Sequence, residues 1–115
     1  MEKNLKVNDE YKILLEKELK RIVQNIKLNY NPNKIILFGS LADGKPSRES
    51  DIDLIVIKET KENPWKRIEK VDCFIDHSIP VELLVYTPEE IEERIRMNDF
   101  FVKEILEKGK VLYER

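Results

Sequence analysis

The chain has 115 residues, 41% apolar and 38% charged, which suits one domain, 1–115, around one core and excludes a multi-domain enzyme. Its 21 Lys plus Arg nearly cancel 23 Asp plus Glu, and a net charge of -2 excludes a grip on nucleic acid by bulk charge. Apolar runs of about four residues (Ile35 to Phe38, Leu54 to Ile57) are too short to span a membrane, and the first residues do not spell a signal peptide. A lone Cys73 forbids an internal disulfide and, with no signal peptide, points to the cytoplasm; one cysteine and one histidine argue against a structural zinc site, which needs about four such ligands.

Tyr11, Leu15, Leu19, Ile22 and Ile26 recur at helical spacing and predict an amphipathic helix over roughly 9–29, ended by Asn-Pro-Asn at 31–33. Lys34 to Phe38 reads as a short buried strand closed by Gly39-Ser40, and a turn-rich stretch with Gly44 and Pro46 follows. Asp51 to Lys58, mostly β-branched, is a second strand. Asn63-Pro64 reads as N-cap and N1 of a helix over about 64–77. Val81 to Tyr86 is a third strand. Thr87-Pro88-Glu89-Glu90 spells a capping box that opens a helix with Ile91 and Ile95 on one face. Asp99 caps a last helix carrying Phe101 and Ile105, stopped by Gly109, and Lys110 to Glu114 is extended. The fold class is α+β: a small mixed sheet with flanking helices.

Asp51 and Asp53 are out of place in such a strand. Two apart, they point to the same face, where like charges repel and desolvation is costly. A cation resolves that conflict, and oxygen-only ligands suit Mg2+, which completes its shell with water and substrate phosphates. Gly39-Ser40 precedes them by ten residues, giving Gly-Ser-x10-Asp-x-Asp with an apolar strand on each side. A glycine turn feeding a helix N-terminus aims N–H groups at phosphate, and the Ser40 hydroxyl adds a donor. The third strand carries one acid, Glu82, which joins the two aspartates if that strand lies beside the second. Three carboxylates and a phosphate cradle are what two-metal phosphoryl or nucleotidyl transfer requires.

The text Ile-Ile-Leu-Phe-Gly-Ser (35–40), Asp-Gly (43–44), Ser-Asp-Ile-Asp-Leu-Ile-Val (50–56) and Pro-Val-Glu-Leu-Leu-Val-Tyr-Thr-Pro-Glu-Glu (80–90) resembles the nucleotidyltransferase superfamily that includes DNA polymerase beta. It looks most like the minimal nucleotidyltransferases (MNT) of bacteria and archaea. The resemblance implies the nucleotidyltransferase fold. It implies Gly39 and Ser40 holding the triphosphate of ATP, Asp51 and Asp53 coordinating two Mg2+ ions, and Glu82 as the third catalytic and metal-binding carboxylate near the attacking hydroxyl. It further implies an antitoxin paired with a HEPN RNase toxin, moving AMP from ATP onto a toxin tyrosine. The chain has little length left for an acceptor-binding domain, so the acceptor is expected to be a separate protein.

Two departures from the family pattern stand out. The third acid is usually aspartate, and Glu82 is one methylene longer. An arginine often follows Gly-Ser, where this chain has Leu41 and then Asp43, leaving Lys45 or Arg48 to supply positive charge. These departures motivate an alternative: a catalytically degenerate antitoxin that neutralises its toxin by binding alone.

Other signals are set aside. Gly39 to Lys45 spells Gly-x4-Gly-Lys, but Pro46 stands where a P-loop needs Ser or Thr. His77 reads as a solvated loop residue, Cys73 as a small core residue, and Trp65 as helix packing. The acidic run at 89–93 is a solvated helix start. Phe100, Phe101 and Val102 are consecutive and cannot share one buried stripe, so part of that group is free to face a partner.

Overall fold

The structure is a computed structural model that describes residues 2–43, 51–75 and 79–115, with side chains described from residue 10 onward. The stripe from Tyr11 to Ile26 lies on helix α1, Glu2–Tyr30. The helix begins earlier than the stripe, because the residues before it hold good helix formers and no Pro or Gly. It ends at Asn31, whose φ of 52° is a left-handed stop, followed by buried Pro32.

Strands β1 (Lys34–Phe38) and β2 (Ile52–Ile57) pair antiparallel, and helix α2 (Pro64–Phe74) crosses over to β3 (Val81–Tyr86), which lies parallel to β2. Helices α3 (Pro88–Arg96) and α4 (Phe100–Lys108) follow, and β4 (Lys110–Glu114) returns antiparallel to β1. The sheet order is β3-β2-β1-β4.

Helices cover both faces of the sheet, which is why its two central strands read as nearly continuous apolar runs. Ile35, Leu37, Ile52, Leu54 and Val56 pack with Leu15, Ile22 and Ile26 of α1 and Val71 of α2. Ile36, Ile55 and Ile57 pack with Ile91 of α3 and with Val102 and Ile105 of α4. By alternation, Asp53 and Glu82 belong to this second face.

The caps form as their chemistry dictates. The Asn63 side chain accepts from Lys66 N at 2.9 Å, Thr87 and Glu90 complete a reciprocal capping box, and Asp99 accepts from Val102 N at 3.1 Å. Four packing expectations are corrected. Trp65 is 82% exposed: it sits in the first turn of α2, which turns Arg67 and Val71 inward instead. Cys73 is exposed, because it stands two residues beyond Val71, about 200° round the helix. Ile95 is partly exposed at the end of α3, and α4 buries Val102 with Ile105 rather than Phe101. His77 lies outside the described residues.

Arg67 is 5% exposed and joins three elements. Its Nε donates to Glu62 O at 2.7 Å, and its Nη1 donates to Val85 O at 3.3 Å and to Glu90 Oε1 at 2.6 Å. Burial pushes the Glu90 carboxyl up, but the hydrogen bonds from Arg67 and Thr87 outweigh it and hold the group below its usual range. Glu90 is therefore a structural anchor, not only part of a solvated acidic helix start. Arg67→Ala takes a buried donor from each of these acceptors and leaves Glu90 only its capping bond from Thr87 N, and is expected to cost about 2–3 kcal/mol in urea denaturation. Arg67→Lys recovers only part of it, because an ammonium lacks the fork. A loss below about 0.5 kcal/mol, the range of ordinary surface changes, would show that the clamp carries no weight.

Candidate active site

The strand ends bring the acids together. Parallel pairing sets Asp53 directly opposite Glu82, and antiparallel pairing sets Phe38 opposite Asp53 on the other side. One row across the sheet therefore reads Glu82, Asp53, Phe38, with strands about 4.8 Å apart. The condition that β3 lie beside β2 is met. Asp51 stands exposed just before β2 begins.

Gly39 follows Phe38 with φ +77°, a conformation that side chains rarely adopt. Its Cα faces the second aspartate: a Cβ built there would lie 2.2 Å from Asp53 Oδ2 and 3.1 Å from its Cγ. The chain then turns through residues 41–43, with Asp43 N donating to Gly39 O at 3.2 Å. Ser40 is exposed beside this turn. Lys45 and Arg48 lie outside the described residues.

Half-burial, a hydrogen bond with Glu82 and the charges of Glu82 and Asp51 push the Asp53 carboxyl up to about 6. Asp53 thus holds its proton well above the usual carboxylate range. This has a consequence for stability. The folded state binds that proton more tightly than the unfolded chain, whose aspartate titrates near 3.8. The resulting stabilisation is full below about 4 and is lost as pH rises through about 6. Solvent screening at this partly exposed group reduces the effect to on the order of 1 kcal/mol. Urea denaturation of metal-free protein from pH 4 to 8 should show the decline, and Asp53→Asn should remove this component; equal slopes in the two proteins would refute it.

The donor set suits a hard cation: it is all carboxylate oxygen, and its crowded negative charge is what a cation relieves. Among the described residues, no group of three His, Cys, Asp or Glu side chains is gathered so as to hold a metal ion. Asp53 and Glu82 instead stand directly opposite each other on β2 and β3. Seating a cation between them means turning both groups, or Asp51, toward one point.

Of the five residues singled out in the sequence, Gly39, Asp53 and Glu82 meet, Asp51 acts on Asp53 through its charge, and Ser40 adjoins Gly39 in the chain. Phe38 went unnoticed as a neighbour of the acids. Its place at the end of an apolar strand is the same signal a core residue gives, and only the register sets it beside Asp53.

A mixed sheet whose strand ends gather carboxylates beside a glycine turn is the architecture of a nucleotidyltransferase. The Polymerase beta nucleotidyltransferase model matches residues 17–115, and the chain belongs to that family. It is 30% identical over 100 residues to the Methanocaldococcus jannaschii protein named "Putative protein adenylyltransferase MJ0604", across 85% of this chain and 97% of that one. Its fold matches a Sulfolobus solfataricus protein solved as a "putative nucleotidyltransferase", with TM-score 0.68 and 22% identity over 94% of this chain and 87% of that one. A chain in a crystal structure of a toxin–antitoxin with AMP-PNP matches with TM-score 0.54 and 25% identity, over 84% of this chain and 73% of that one. Among the described residues, no helix is long and apolar enough to cross a membrane.

Proposed function

We propose that this chain transfers AMP from ATP to a hydroxyl of a separate protein, and that the acceptor is a tyrosine of a HEPN-type toxin for which it is the antitoxin. The observation that carries the reading is the Asp53–Glu82 pair set against Gly39 in a chain of the polymerase beta family. The name of the Methanocaldococcus relative supports a protein as acceptor, and the toxin–antitoxin neighbour with AMP-PNP supports the toxin partner and the adenine nucleotide.

In this reading Gly39 and Ser40 take the triphosphate, with no side chain at Gly39 to bar its approach. Asp51, Asp53 and Glu82 would hold the Mg2+ ions. When bound, these would offset the charge of the triphosphate and favour ionisation of the attacking hydroxyl. The tyrosine oxygen attacks the α-phosphorus, a new O–P bond forms, and the α–β anhydride bond breaks to release pyrophosphate. The proton leaves the hydroxyl toward the carboxylates, and in this reading Glu82, on the outer strand of the row, receives it.

The test is intact mass of the candidate toxin after incubation with this protein, Mg2+ and each nucleoside triphosphate in turn. Gain of adenylyl groups with ATP, located on tyrosine by peptide mapping, supports the reading. No gain from any nucleotide, with the two proteins co-purifying, overturns it in favour of an antitoxin that acts by binding alone. The longer third acid, Glu82, and the lack of an arginine just after Gly39-Ser40 motivate that second reading. It predicts that the Asp51→Asn, Asp53→Asn double variant still protects cells from the toxin.

A further inference from the structure

Beyond the acids, the same row continues into an aromatic wall. Phe38 is one strand from Asp53, and the ring of Phe101 on α4 meets it edge-on, with centroids 5.8 Å apart at 89°. Phe101 remains 49% exposed although its neighbour Val102 is buried. Between them and the glycine turn opens a cavity of about 360 Å3, bordered by Phe38, Gly39, Asp43, Phe101, Glu104 and Lys108. Its size falls within the range of small-molecule sites, about 300–1,000 Å3.

The chemistry of this wall bears on what it admits. Among the described residues it pairs two aromatic rings with the carboxylates of Asp43 and Glu104 and one cation, Lys108, whose Nζ lies 3.4 Å from Glu104 Oε1. A flat, uncharged ring that carries an amino group suits it: the ring stacks on an aromatic face, and its N–H groups donate to a carboxylate.

We infer that the Phe38–Phe101 cavity is the nucleobase subsite and that it takes an aminopurine, with Phe101 as the stacking platform and Glu104 as acceptor for the exocyclic amino group. The inference rests on the nucleotidyl-transfer reading and adds to it where the base lies and what selects it. The layout is consistent with one extended ligand: the base on the β1 and α4 side, the triphosphate over Gly39, and the attacking hydroxyl toward Glu82.

The test is calorimetric binding of Mg-ATP, Mg-ITP and Mg-tripolyphosphate to the full chain, which needs no acceptor. Tripolyphosphate has no base, and ITP carries an oxo group where ATP has the amino group. Phe101→Ala should weaken ATP binding about tenfold or more and leave tripolyphosphate unchanged, while Phe101→Tyr stays near wild type. Wild type should prefer ATP to ITP, and Glu104→Gln should erase most of that preference.

Equal ATP affinity in Phe101→Ala and wild type overturns the inference while leaving nucleotidyl transfer standing. So does an equal loss for tripolyphosphate, which marks Phe101 as a support of the fold. Unchanged ATP binding with a raised KM for the acceptor protein also overturns it and assigns the cavity to the acceptor. Failure of wild type to bind either ATP or tripolyphosphate defeats the underlying reading, and this inference falls with it.

Discussion

Asp53→Asn is expected to lower nucleotidyl transfer by about a thousandfold or more while leaving the fold intact, the range that loss of one preorganised charge-stabilising group produces. The reasons are local. Asparagine keeps the shape and one acceptor oxygen of the side chain but has neither the negative charge nor the exchangeable acid proton. Asp53 is the residue against which Gly39 and Glu82 both stand, so no other carboxylate occupies its place in the row. The strand itself does not depend on the charge, since Ile52, Leu54, Ile55 and Val56 are fully buried on either side. At pH 8 the variant lacks a carboxylate crowded by Glu82 and Asp51, so metal-free Asp53→Asn should be at least as stable as wild type. Initial rates by intact mass and urea denaturation at pH 8 check the two halves. Transfer above about a tenth of wild type would remove Asp53 from the reaction, and a marked loss of stability would mean that the charge is structural.

Gly39→Ala should lower transfer about a hundredfold with a stability loss of only about 1–2 kcal/mol, so that activity falls far more than folding does. Two effects combine. The φ of +77° is costly for any residue with a Cβ, and the new methyl would lie 2.2 Å from Asp53 Oδ2. The atom it meets is the tip of a side chain, not backbone, so the protein relieves the clash by rotating Asp53 away. That rotation is tolerable for the fold. It is not tolerable for a reaction in which a displacement of about 1 Å costs two orders of magnitude. Rate and urea midpoint measured on the same preparation decide the matter. Wild-type activity in a stably folded Gly39→Ala variant would show that the triphosphate does not depend on this close approach.

The Gly-Ser turn and the Asp-x-Asp strand were readable because each is a local feature with an unusual composition. Acids at the start of an apolar strand, and a glycine closing another, stand out against their neighbours. Glu82 was readable for the same reason, but its value hung on a condition, that β3 lie next to β2. Arg67 and Phe101 were not readable. On α2, Arg67 looks like any surface cation of a helix with Lys66 and Lys70 beside it; that it turns inward is set by Val85 O and Glu90, which arrive from later elements. The helical spacing of Phe101 and Ile105 made Phe101 look like core. The placement of α4 over β1 buries Val102 instead and stands Phe101 on edge against Phe38.

By itself, the sequence determined which segments are strands and helices, where caps and turns stop them, and which residue types are available for chemistry. Those properties follow from periodicity, backbone restrictions and neighbours within a few positions. The tertiary structure decided what those residues do to one another. Parallel pairing of β2 with β3 couples Asp53 to Glu82, antiparallel pairing with β1 brings Gly39 and Phe38 against the same carboxylate, and the seat of α4 opens the cavity beside them. Register is a long-range choice: a slip of one residue would turn every side chain of a strand to the opposite face. It is held here by burying Ile35, Ile36, Leu37 and Ile52 to Ile57, except Asp53, between two layers of helices, which leaves Asp53 as the partly exposed residue of β2.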